Sequence, residues 1–150
     1  MQVPIRTHIA SPTLIGNNSS KDNLLVTEWA PQLSHLEHAD DMVNHGGLNS
    51  IMECVQKEVP IVILPCARDQ PGNAARAEFH HLALRGKIDS IEPDGLLKLV
   101  NKALTDTHLK AGLKKMKETI GNEQGLQKAV AFIEDFSAKP QRELDAEIQP

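Results

Sequence analysis

Three short segments of this chain combine residue types able to hold a phosphorylated, hydroxyl-rich ligand. The first is Asn44-His45-Gly46-Gly47-Leu48-Asn49-Ser50, which follows the apolar pair Met42-Val43 and leads into a helical pattern. Two glycines let backbone come close to a ligand, and a helix N-terminus presents unpaired N–H groups and the positive end of a dipole. His45, Asn49 and Ser50 add side-chain donors, so a diphosphate fits here. Paired glycines before a helix are also ordinary turn chemistry, and the segment matches neither GxGxxG nor GxxxxGK(S/T), so alone it leaves both readings open. The second segment, Trp29-Ala30-Pro31-Gln32, follows an apolar run. An aromatic at a strand's carboxyl end can stack on a base while an amide bonds its edge; a core tryptophan is the alternative. The third, Asp69-Gln70, offers a carboxylate and an amide suited to sugar hydroxyls, or else a turn or helix cap at Asp69.

The elements that must position these residues are legible as alternating short strands and helices. Leu24-Leu25-Val26-Thr27, Met42-Val43 and Ile61-Val62-Ile63-Leu64 read as strands buried on both faces, each bounded by polar or Gly/Pro punctuation. A weaker strand is expected between Ile5 and Ile15, interrupted by Pro12. Ile51, Met52 and Val55 recur at helical spacing, which predicts a helix over Leu48–Lys57 stopped by Val59-Pro60. Leu96, Leu97, Val100 and Leu104 predict another, starting behind Pro93-Asp94 as its cap. Leu109–Ile120 and Gln124–Phe136 read as two more, the first weakened by Gly112. Alternation of this kind implies a Rossmann-like parallel sheet with flanking helices, and such sheets bind ligands beyond the carboxyl ends of their strands. The three polar segments all follow strands.

With 150 residues, 40% of them hydrophobic, the chain has material for one domain with its own core. Residues 1–138 are expected to form it, with 139–150 a charged, frayed tail. Sixteen basic against twenty acidic residues and a net charge of −4 give a phosphate backbone little attraction, which argues against a nucleic-acid partner. Cys54 and Cys66 each sit in an apolar run, where free cysteine behaves as a small hydrophobe in a reducing compartment. No stretch approaches the roughly 18 apolar residues of a membrane span, and no signal peptide is visible, so the reading is cytoplasmic. Asp40-Asp41 reads as a solvated turn, and His80-His81, with no ligand-spaced partner, as surface or wall; no metal is expected.

Taken together, WAPQ at 29–32, HGGLNSIMEC at 45–54, VP at 59–60 and DQPGNAAR at 69–76 resemble the donor-binding signature of the UDP-glycosyltransferases, a family with the GT-B fold. The DQPGNAAR segment looks most like bacterial carotenoid (zeaxanthin-type) glucosyltransferases. The resemblance covers about a third of the chain. It implies that Trp29 stacks on the uracil and that Gln32 and the Ala30 backbone lie at base and ribose. It implies further that Glu53 holds the ribose hydroxyls. His45, Gly46, Gly47, Asn49 and Ser50 would take the diphosphate, and Asp69 and Gln70 the sugar. Glu53 lies four residues after Asn49, one turn along on nearly the same helix face. His45 would stabilise charge on the leaving UDP without a metal.

Departures from the pattern matter as well. Leu48 stands where plant members commonly carry tryptophan, and Phe79-His80-His81-Leu82-Ala83-Leu84 replaces a glycine-containing turn. In this family the acceptor pocket and the catalytic base, usually a histidine backed by a carboxylate, belong to an N-terminal domain. Only 28 residues precede Trp29, so the chain resembles the C-terminal, donor half, with no catalytic base of its own. The function implied is inverting, metal-independent transfer of a hexose from a UDP-sugar or dTDP-sugar to a small lipophilic hydroxyl acceptor. The base and acceptor site would come from an absent domain or a partner subunit, leaving this chain inactive alone. The alternative is a non-catalytic sugar-nucleotide-binding module or one subunit of a split glycosyltransferase.

Overall fold

Ile61, Val62 and Ile63 form a strand from which no side chain reaches solvent. β-branched residues suit a pleated strand packed on both sides, and this one is. In the computed structural model, which describes residues 7–10, 23–122 and 125–138, it is β4 of an alternating series. The order is β1 (Thr7–Ala10), β2 (Leu24–Thr27), α1 (Gln32–Leu36), β3 (Met42–Asn44), α2 (Leu48–Lys57), β4 (Ile61–Ile63), α3 (Gln70–Phe79) and β5 (Ala83–Arg85). Three helices follow: α4 (Pro93–Thr105), α5 (Thr107–Asn122) and α6 (Gly125–Ala138). All strand pairings are parallel, in two groups, β1 with β2 and β3-β4-β5.

Register sorts the core into two layers. Met42, Ile61 and Ala83 lie abreast, and Val43, Val62 and Leu84 lie abreast one residue on, so they face the other way. On the first face Ile61, Ile63 and Ala83 pack with Ile51, Cys54 and Val55 of α2, Ala74 and Ala77 of α3, and Leu113 of α5. On the second, Val62 meets Ala103 of α4 and Leu109 of α5, with Leu84, Leu96, Leu99 and Val100 around them. The spacing 51, 54, 55 is one stripe of a helix, which is why α2 lies along the sheet. It ends at Glu58, left-handed at φ 57°, whose N–H returns to the Cys54 and Val55 carbonyls.

Several sequence expectations need correction. β2 and β3 are not buried on both faces: Leu25 is 49% and Val43 44% exposed; among the described residues β2 pairs with β1 alone and β3 is the outer strand of its group. Pro93 and Asp94 do not cap α4. Glu92 holds the N-cap position without a side-chain bond and Pro93 is the first helical residue, where its missing N–H costs nothing. Gly112 is required, not merely tolerated. A Cβ there would stand 2.3 Å from the His81 carbonyl oxygen, so α5 crosses the turn after α3 at backbone contact. Cys54 is buried as expected, whereas Cys66 is exposed in the loop after β4. The segment read as a turn variant, Phe79–Leu84, contains the end of α3 and the start of β5. His80 and His81 are exposed. Of the Ile5–Ile15 expectation only β1 falls among the described residues, and the tail from 139 lies outside them.

Candidate functional site

The three polar segments leave the carboxyl ends of β2, β3 and β4, and hydrogen bonds tie them together. After β2, Trp29 stands 74% exposed, so it is not a core tryptophan. Gln32, the first residue of α1, reaches across to α2: its Nε2 donates to Ser50 Oγ at 3.1 Å and to Glu53 Oε2 at 2.6 Å. Ser50 and Glu53 are three apart and share a helix face. Glu53 is therefore not a freely solvated carboxylate. Its bond to Gln32 leaves its other oxygen, and the Gln32 carbonyl, for a ligand. Ala30 lies half-buried between Trp29 and α1.

After β3, the two glycines serve different ends. Gly46 sits at φ +87°, and a Cβ there would come within 2.8 Å of Ile63 Cγ2; no other residue fits both conditions. Its N–H donates to Asn44 Oδ1 at 2.7 Å, closing a side-chain turn, so Gly46 contributes shape and its own amide is already used. Gly47 makes room for the imidazole of His45, whose Nε2 lies 2.9 Å from where a Cβ would be. Gly47 is also the N-cap of α2 and supplies no side-chain cap. The amides of Leu48, Asn49 and Ser50 in that first turn have no helical acceptor, and they carry the positive end of the helix dipole. His45 and Asn49 are exposed at this end.

After β4, Gln70 stabilises its own loop. Its Oε1 accepts the N–H groups of Cys66 (2.9 Å) and Ala67 (3.0 Å), which leaves only its amide N–H groups to donate outward. Asp69 occupies the N-cap position of α3 but makes no capping bond. Its Oδ2 instead accepts from Asn73 Nδ2 at 2.8 Å. The cap alternative for Asp69 is thus not realised.

A family comparison bears on what these strand ends do. Residues 6–136 match the model of the UDP-glucoronosyl and UDP-glucosyl transferases. The chain belongs to that family. The NDP-glycosyltransferase YjiC of Bacillus subtilis (strain 168) is 32% identical over 117 residues, covering 78% of this chain and 30% of that protein. The solved structure of the glycotransferase of kitacinnamycin superposes with a TM-score of 0.74 at 33% identity, over 78% of this chain and 30% of the other. The calicheamicin glycosyltransferase CalG4 gives a TM-score of 0.73 at 24% identity over 84% and 32%, a likeness of fold. The chain thus spans about 30% of the length of each of these relatives. Its fold, parallel strands with helices on both faces, is that of the C-terminal half of a GT-B transferase. Among the described residues no helix is long and apolar enough to cross a membrane.

Three residues at or near this family's strand ends escaped the sequence reading. Asn44 and Asn73 stood inside the quoted segments without a role. The signal for Asn73 was its place one helical turn after Asp69. Asp41, read with Asp40 as a solvated turn, is not one: Asp40 is exposed, but both Asp41 carboxylate oxygens are buried without a partner. Burial pushes the Asp41 pKa up to about 7. The neighbouring Cys54 thiol, which donates to the Met42 sulfur at 3.3 Å, is pushed up to about 12 by burial first, then by the charges of Asp41 and Glu53. It is no nucleophile at neutral pH.

Proposed function

We propose that this chain is the donor-binding part of a glycosyltransferase that moves a hexose from a UDP- or dTDP-linked donor to a hydroxyl of a small lipophilic acceptor, with inversion. One observation carries the reading. Ser50 and Glu53, both bonded by Gln32 of α1, lie on the same helix, α2, whose uncapped N-terminus, overlain by His45, is set up for an anion. A nucleoside diphosphate has hydroxyls and phosphates in that order. Trp29 stacks on the base, beside the Ala30 backbone and Gln32. The ribose hydroxyls meet the open oxygen of Glu53. The two phosphates take the amides of Gly47 to Ser50 with the side chains of His45, Asn49 and Ser50, on the turn that Gly46 shapes. Asp69 and the Gln70 amide meet the sugar.

Charge developing on the departing diphosphate is stabilised by fixed N–H groups and by His45, so no metal is needed in this scheme. The base that takes the acceptor's proton, and the acceptor pocket, belong to a further domain or subunit. This chain alone consequently turns over no alcohol acceptor. The two unpaired thiols fit a cytoplasmic setting. Calorimetry with UDP, UMP and ribose 5-phosphate tests the assignment. UDP binds most tightly, UMP more weakly for want of its second phosphate, and ribose 5-phosphate hardly at all. Chelating divalent cations changes none of this. Equal affinity for UMP and UDP would remove the diphosphate from α2, and loss of UDP binding on chelation would overturn the metal-free scheme.

A further inference from the structure

The loops after β3 and β4 are joined by one side chain. Asn73 Nδ2 donates to the Gly46 carbonyl at 3.1 Å and to Asp69 Oδ2 at 2.8 Å. Both partners are acceptors with no proton to give, so the amide nitrogen must face them and its two hydrogens are shared between them. Gly46 lies 27 residues before Asn73, and Asp69 one turn before it on α3. Neither contact is helix capping: Asp69 makes no capping bond, and Gly46 is held from the other side by Asn44. The left-handed turn at Gly46 and the direction of the Asp69 carboxylate are thus fixed against each other through a single half-buried amide.

We propose that Asn73 is a positioning residue that sets the sugar-facing carboxylate of Asp69 at a fixed distance from the diphosphate turn at Gly46. It thereby makes recognition of the hexose conditional on a correctly formed phosphate site. The proposal rests on the donor-site reading above. Asn73 does not itself touch the ligand; it acts through Asp69 on the sugar and through the Gly46 carbonyl on the turn. A side chain that only supported the fold would alter both ligands alike, whereas this one alters the preference of the site for a sugar-bearing nucleotide over the bare one.

A double-mutant cycle on the full chain separates the two. UDP and UDP-glucose are titrated calorimetrically into the wild type, Asn73→Ala, Asp69→Ala and the double variant, with circular dichroism as the folding control. Alanine keeps α3 helical. Asn73→Ala is expected to lose about tenfold more affinity for UDP-glucose than for UDP, and that extra loss should vanish where Asp69 is already alanine. If Asn73→Ala does not fold, Asn73→Asp, equal in size but presenting oxygens to two acceptors, is carried through the same cycle with the same expectation. Equal losses for both ligands, or an extra loss that persists without Asp69, would overturn the positioning role while leaving the donor site standing. A folded wild type that binds neither ligand would overturn the donor site and this inference with it.

Discussion

β4 and β2 are built from the same kind of residue and meet different fates. Ile61–Ile63 lies between two strands with helices on both faces, and none of it is exposed. Leu24–Thr27 has one neighbouring strand among the described residues, and Leu25 keeps 49% of its surface in solvent. Strand composition therefore does not fix burial; the covering of its flanks does. The candidate site straddles this divide. Asp69, Gln70 and the Gly46 turn stand on the packed half, where a bond such as Asn73 to Gly46 can hold a geometry. Trp29 stands on the open half, exposed, available to a flat ligand and contributing little to the core.

The largest expected effect is on stability. Removing buried methylenes at Ile63 leaves a cavity walled on all sides, so Ile63→Ala should cost about 2–5 kcal/mol in urea unfolding. Leu25→Ala, at a half-exposed position, should cost under about 1 kcal/mol. Comparable losses would erase the distinction between the two halves.

Next comes a reversal of that order for ligand affinity. Base stacking is worth ~1–3 kcal/mol, so Trp29→Ala should weaken UDP binding roughly ten- to a hundredfold by calorimetry. The same variant should leave the unfolding midpoint almost unchanged, because a side chain 74% exposed has little packing to lose. A marked fall in stability would put Trp29 in the core.

A smaller effect, read in the pH dependence of Tm, concerns Asp41. Its folded-state pKa is raised from 3.8 to about 7 by burial, so the native state holds a proton that the unfolded chain releases near pH 4. The stability this gives is fully present below the unfolded pKa, declines as pH rises from there, and is lost through about pH 7. Asp41→Asn, neutral throughout, should flatten the fall in Tm between about pH 4 and about pH 7. An unchanged slope would assign the pH dependence elsewhere.

Much of the scaffold was legible because its pattern is local. α2 spans Leu48–Lys57 as its spacing required, and the strands at 24–27, 42–44 and 61–63 follow their β-branched runs. α3 was not legible, because Pro71-Gly72 reads as a breaker, although proline is well placed in a first helical turn. α1, five residues long, is too short to show a period, and β5 begins inside the Phe79–Leu84 segment that was read as a turn variant. Gly112 was misread for another reason: its neighbour is the His81 carbonyl, contributed by a segment distant in sequence. The site divides the same way. The residue types at the strand ends allowed an anion and hydroxyl site beside plain turn and cap chemistry, and the family resemblance assigned them roles. The use of the Gly46 amide by Asn44, the Gln70 oxygen inside its own loop, and the tie through Asn73 all depend on tertiary closeness that no local spacing encodes.

The proposed function puts Trp29 at the base end of a nucleotide site. It is the single tryptophan of a chain without tyrosine, so selectively excited emission reports one side chain at one place. Titrating UDP into the folded chain should change that emission saturably, with the same midpoint as the calorimetric binding curve, while ribose 5-phosphate leaves it unaltered. A chain shown to be folded by circular dichroism, whose Trp29 emission ignores millimolar UDP, would contradict that placement of Trp29.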